Sequence, residues 1–192
     1  MKISKVSFLG GAEIKEGSEV YKDTVEVARA LAESGITILN GGGPGVMRAS
    51  TEGAHVGGGK AVGVTFYPHY KHAHFEGRDP NNVFDEEVVC KDYFDRTQRL
   101  LEMGNVHIIF EGGTGTISEF GMSWALARIH EGHNIPIILY GDFWKSVIEA
   151  FNTYLLMRPG EFELFRIVNT PQEAYFAIKE LEGLDKPYPL PQ

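Results

Sequence analysis

Two glycine-rich runs are the first candidates for chemistry: Gly41-Gly42-Gly43-Pro44-Gly45-Val46-Met47, and Gly112-Gly113-Thr114-Gly115-Thr116-Ile117-Ser118-Glu119. Each follows a short apolar run, over residues 36–39 and 106–110, and each leads into a helical pattern. A glycine at such a junction lets backbone N–H groups approach an anion closely, and the helix N-terminus adds a favourable dipole. The expected ligand is a small anion such as a phosphate group. Glu119, taken alone, reads as a carboxylate in the first turn of the following helix, where the macrodipole favours it. His69, His72 and His74 are the one candidate metal cluster. They lack the His-Glu-x-x-His helical spacing, and Cys90 is far along the chain, so no metal and no cofactor are expected.

The familiar phosphate loops fail residue by residue. Lys60 follows a glycine but is followed by Ala61, where a P-loop needs Ser or Thr. A Gly-x-Gly-x-x-Gly fingerprint breaks at Arg48 in the first run and at Ser118 in the second. Neither an ATPase nor a conventional NAD enzyme is supported.

The scaffold for these runs is read from periodicity. Short apolar segments at 6–9, 36–39, 61–66, 83–90, 106–110 and 135–140 have the length of buried strands. Helical patterns occupy the region from Val20 to Leu31 and residues 44–57, 92–103, 142–155, and the stretch from the second glycine run to about Ile129. Pro171 opens a last amphipathic helix. Strands alternating with helices of ten or more residues predict an α/β fold, a single Rossmann-like doubly wound domain over 1–185 with a mainly parallel sheet. Residues 186–192 form a proline-rich tail. In such sheets ligands bind beyond the carboxyl ends of the strands, where Gly10-Gly11 and both glycine runs stand.

Composition excludes several classes. Glycine fills 23 of 192 positions, and nine of these lie between Gly41 and Gly63, so the excess is local rather than a mark of low complexity. The formal charge of −8 argues against a coat for nucleic-acid polymers, whose phosphates need clustered Lys and Arg. A small anionic ligand remains compatible with that charge. No apolar run approaches the roughly 18 residues of a membrane span. The start of the chain has no signal-peptide core, and a single Cys90 suits a reducing cytoplasm.

The two glycine runs together resemble the Lonely-Guy (LOG) family, often labelled "possible lysine decarboxylase", over about residues 4–155. That family carries Pro-Gly-Gly-x-Gly-Thr-x-x-Glu, preceded by a Gly-Gly-Gly-x-x-Gly-[Leu/Ile]-Met segment. The resemblance implies a Rossmann-like homodimer that releases the base from a nucleoside 5′-monophosphate such as AMP or an N6-modified AMP. It also implies that Glu119 and Arg96 are catalytic, since the family pairs its motif Glu with an Arg on the preceding helix. Glu111 stands where the family has Pro, and Thr97 where it has Lys.

Cleaving an N-glycosidic bond builds positive charge on the ribose, which a carboxylate such as Glu119 can stabilise while orienting water. On this reading Gly112, Gly113, Thr114, Gly115 and Thr116 hold the phosphate. Gly43, Gly45 and Met47 line the nucleoside side, and Arg99 is a second anchor beside Arg96. Taken alone, Met47 is also core filler and Arg96 a surface ion-pair partner for Asp92. The competing function is a non-catalytic binding module for a nucleotide or pterin-type cofactor. A pyridoxal-phosphate decarboxylase is disfavoured, because no His-Lys pair supplies a Schiff-base lysine.

Overall fold

Alternation along the central strands decides the architecture. In β1 (Lys5–Leu9), Val6 and Phe8 face one core, while Leu9 belongs to a second core and the Ser7 hydroxyl donates to the Leu100 carbonyl at 2.7 Å. A sheet that is apolar on both faces must be covered on both, which parallel strands with helical crossovers achieve. The computed structural model describes residues 2–67, 78–130 and 135–183. The His69, His72 and His74 cluster and the 186–192 tail lie outside the described residues.

After β1 the chain runs through α1 (Glu19–Glu33), β2 (Thr37–Asn40), α2 (Val46–Val56), β3 (Ala61–Phe66) and β4 (Glu86–Cys90). It continues through α3 (Tyr93–Met103), β5 (Val106–Ile109), α4 (Thr114–Ile129), β6 (Ile137–Tyr140) and α5 (Phe143–Tyr154). A 3-10 turn at Glu161–Glu163, β7 (Phe165–Val168) and α6 (Pro171–Gly183) complete the order. The sheet is ordered β4-β3-β2-β1-β5-β6-β7, and every pair is parallel. Helices α1, α2 and α6 pack on one face around Phe8, Leu31, Ile108 and Phe110. Helices α3, α4 and α5 pack on the other, around Leu9, Leu100, Ile109, Phe120 and Trp144. This is the α/β Rossmann-like fold expected from the sequence. No helix among the described residues is long and apolar enough to cross a membrane.

Two elements differ from the expectation. β7 was not foreseen: it is a four-residue edge strand with Arg166 inside it and only its ends fully buried, so it offers neither a long apolar run nor clean alternation. β4 begins at Glu86 rather than at 83. Upstream of it the Asp85 carboxylate accepts the Ala61 N–H at 2.8 Å and approaches His55 at 3.0 Å, holding that residue in a turn.

Helix α4 is anchored by Phe120, whose ring lies 5.1 Å from Trp124, 5.0 Å from Trp144 and 5.8 Å from Phe165. Truncating this fully buried ring leaves a cavity that three aromatic neighbours cannot fill. Phe120→Ala is expected to lower the unfolding free energy by about 3–5 kcal/mol, read as a shift of the urea midpoint. A change under about 1 kcal/mol would contradict this packing.

Candidate functional site

Strand order reverses between β1 and β5, and the chain leaves these neighbours for helices on opposite faces of the sheet. The divergence opens a crevice at their carboxyl ends. A pocket of about 490 Å³ occupies it, lined by the turns at 10–14 and 111–116, by Gly41 and Met47, by Tyr93, Arg96 and Leu100 of α3, and by Glu119 of α4.

Arg96 reaches the pocket because α3 starts beside it. Asp92 caps that helix by accepting the Asp95 N–H at 2.9 Å, so Asp92 is a cap and not an ion-pair partner of Arg96. The Arg96 Nε donates to the Val64 carbonyl at 3.2 Å. Its guanidinium carbon lies 6.0 Å from the Phe66 ring centre and 5.9 Å from that of Tyr93. The guanidinium crosses the end of β2 where Gly41 has no side chain: a Cβ there would sit 1.8 Å from the Arg96 Nη2. Gly41 is therefore required by Arg96. Tyr93 completes the arrangement, since its hydroxyl meets the Ser118 Oγ at 2.7 Å and Ser118 donates to the Gly115 carbonyl at 2.8 Å. Tyr93 was not singled out from sequence, although it stands one turn before Arg96 on the same helix face.

Glu119 occupies the second turn of α4, not the first, so it does not compensate the helix terminus. It is 6% exposed, and its carboxylate accepts no hydrogen bond among the described residues. Burial pushes its pKa up to about 7, with the Arg96 charge pulling the other way. Behind it the Ser123 hydroxyl donates to the Glu119 carbonyl at 2.9 Å. The fully buried His107, whose Nε2–H donates to the Leu101 carbonyl at 3.0 Å, is depressed by desolvation to about 4 and stays neutral.

The helix terminus itself carries no side-chain cap. Gly112, Gly113, Thr114 and Gly115 are exposed and line the pocket together with the buried Thr116. First-turn N–H groups of a helix have no intrahelical partner, so this turn presents donors to whatever enters.

Three expected binding residues are placed elsewhere. Gly43 and Gly45 are not among the lining residues. The Gly43 carbonyl accepts from the Asn82 side-chain amide at 2.8 Å, and the Gly42 carbonyl accepts the Asp79 N–H at 2.9 Å. Gly45 has φ 64°, and a Cβ on it would lie 2.2 Å from the Gly11 carbonyl oxygen. This run thus docks the 79–82 segment and the start of α2, and only Gly41 and Met47 reach the pocket. Arg99 is 56% exposed at its side chain and lies 3.5 Å from Asp95, one turn back on the outer side of α3. Asn82, fully buried against Asn40 and Gly43, gave no signal in the sequence because its partners are some 40 residues away.

Residues 4–152 match the sequence model of the SLOG cluster4 family. An uncharacterized protein of Archaeoglobus fulgidus is 29% identical over 154 residues, which cover 79% of this chain and 95% of that protein. The molybdenum cofactor binding protein of the phototrophic bacterium Rippkaea orientalis superposes with a TM-score of 0.71 at 22% identity, over 95% of this chain and 99% of that one. The Moco carrier protein of Chlamydomonas reinhardtii gives 0.66 at 20% identity, over 95% and 99% of the two chains. These two structures share the fold.

The buried carboxyl makes stability depend on pH in a defined direction. Its folded pKa lies above the ordinary value of 4.5, so stabilisation present below that value is lost as the pH rises through about 7. Glu119→Gln removes the titration. Relative to the native chain, this variant is expected to gain on the order of 2–3 kcal/mol between pH 4.5 and pH 8, measured by urea unfolding. A difference that does not change with pH would refute the buried, weakly compensated carboxyl.

Proposed function

The chain belongs to the SLOG cluster4 family, and we propose that it hydrolyses the N-glycosidic bond of a nucleoside 5′-monophosphate. The products are a purine-type base and ribose 5-phosphate. The observation that carries this reading is the meeting of buried Glu119, Arg96 and the uncapped start of α4 in one pocket.

The phosphate sits on the N–H groups of residues 113–116, with the Thr114 hydroxyl beside it. The ribose then extends towards Glu119. As the bond from C1′ to the base nitrogen breaks, its electron pair leaves with the base and positive charge spreads over C1′ and the ring oxygen. The Glu119 carboxylate stabilises that charge at close range and takes a proton from the water that attacks C1′. The departing base nitrogen takes up a proton from solvent, so that the products are the neutral base and ribose 5-phosphate. A carboxyl with a pKa near 7 suits this task at neutral pH, where it is partly ionised and still basic. Arg96 holds the substrate by charge-assisted hydrogen bonds, its position fixed by Val64, Phe66 and Tyr93.

A second reading, a non-catalytic carrier of a nucleotide or pterin-type cofactor, is supported by the fold shared with a molybdenum cofactor binding protein. It predicts stabilisation by ligand without product. The hydrolase reading predicts release of free base and ribose 5-phosphate from a nucleotide panel, followed by chromatography. Glu119→Gln and Arg96→Ala are each expected to lower kcat/KM by roughly 10²–10⁴-fold while keeping a cooperative unfolding transition. Unchanged turnover in both variants would remove these residues from the chemistry.

We place the protein in the cytoplasm, where the buried thiol of Cys90 stays reduced, and read it as a homodimer. Helix α4 supports the second point. Met122, Leu126 and Ile129 are exposed on its outer side, with Ile117 exposed at the flank. A second copy would cover that face. Light scattering is expected to report a dimer for the native chain and a monomer for Met122→Lys/Ile129→Lys. A native monomer would overturn this assembly.

A further inference from the structure

The mouth of the pocket carries two carboxylates that the proposed hydrolysis does not use. Glu13 follows β1 and Glu111 follows β5, and both line the pocket. Their loops run side by side, since the Gly11 N–H donates to the Glu111 carbonyl at 2.8 Å. Both side chains are exposed, and among the described residues neither takes part in an ion pair or a side-chain hydrogen bond. Deeper in the same pocket lies the almost fully buried carboxylate of Glu119, which accepts no hydrogen bond among the described residues. Against these three, Arg96 is the one Lys or Arg in the described lining. No group of three or more His, Cys, Asp or Glu among the described residues is placed to hold a metal ion that would offset this charge.

We propose that Glu13 and Glu111 set how many phosphates the ligand carries, so that the pocket takes a monophosphate ester and rejects diphosphates and triphosphates. This rests on a phosphate at the start of α4, and not on bond cleavage. A single phosphate there is held by first-turn N–H groups and the helix dipole. That attraction falls off within about one turn. A second phosphate carries the ligand's charge beyond that turn, and Glu13 and Glu111 are the exposed charged residues of the pocket lining. Discrimination between ligands is a difference of affinities, and groups that repel the more highly charged one contribute to it. Because both carboxylates are exposed, salt screens the effect.

The test is calorimetric titration of the full chain with AMP, ADP, orthophosphate and pyrophosphate at low and high salt. The variants are Glu13→Gln/Glu111→Gln and, as a control, Glu33→Gln at the last residue of α1. The native chain is expected to bind AMP at least about tenfold tighter than ADP, and orthophosphate tighter than pyrophosphate. The double variant is expected to reduce both ratios by roughly tenfold, high salt to narrow them, and Glu33→Gln to leave them unchanged. The proposal falls if ADP binds the native chain as tightly as AMP, if the double variant keeps the ratios, if the control shifts them equally, or if none of the four ligands binds. Selective AMP binding without release of base would sink the hydrolase reading and leave this one standing. Base release with equal AMP and ADP binding would do the reverse.

Discussion

One carboxylate buried with one guanidinium to face it is the constraint on which the site is built. Glu119 loses most of its hydration and gains no hydrogen bond among the described residues, so its charge depends on Arg96 across the pocket. Arg96 can stand there only because Gly41 leaves the end of β2 bare, and it is held there by the Val64 carbonyl and two aromatic rings. Tyr93, one of those rings, also ties α3 to α4 through Ser118. The pair therefore draws on β2, β3, α3 and α4 together, and no single element could position it.

This dependence explains what the sequence disclosed and what it withheld. The sheet was legible because buried parallel strands are short apolar runs and the helices between them are long and amphipathic. Only β7 escaped, as an edge strand interrupted by Arg166 has too little apolar pattern to detect. The second glycine run was legible as an anion turn because its chemistry is local: residues 112–116 make one strand end and one helix start. The side of α3 on which Arg99 stands was less legible. Arg99 stands three residues from Arg96, about 60° short of a full turn of 3.6 residues, and that offset brings it to the exposed side, against Asp95.

The two glycine runs look alike in sequence and do different physical work. The run at 112–116 is exposed and uncapped, and its glycines keep side chains away from donors that face the pocket. The run at 41–45 is buried and spoken for: its carbonyls are taken by Asp79 and Asn82, and of its two positive-φ residues, Gly42 and Gly45, the second is pressed on the Gly11 carbonyl. Periodicity and composition cannot separate these cases. The deciding partners, Asn82 and Gly11, lie some 40 residues downstream and 34 residues upstream, and become neighbours only once β1, β2 and β3 are paired.

A shared fold also leaves the choice between carrier and hydrolase to the pocket's own groups. Holding an anionic ligand calls for donors and positive charge, which the start of α4 and Arg96 supply. An extra buried carboxylate works against that purpose, because it repels the ligand's phosphate and destabilises the folded chain at neutral pH. That cost is offset where a cationic or hydrogen-bond-donating group comes to lie next to the carboxylate. In a carrier the Glu119 carboxylate would accept hydrogen bonds from N–H or O–H groups of the ligand, whereas in the proposed hydrolysis it would face an anomeric carbon that becomes transiently cationic.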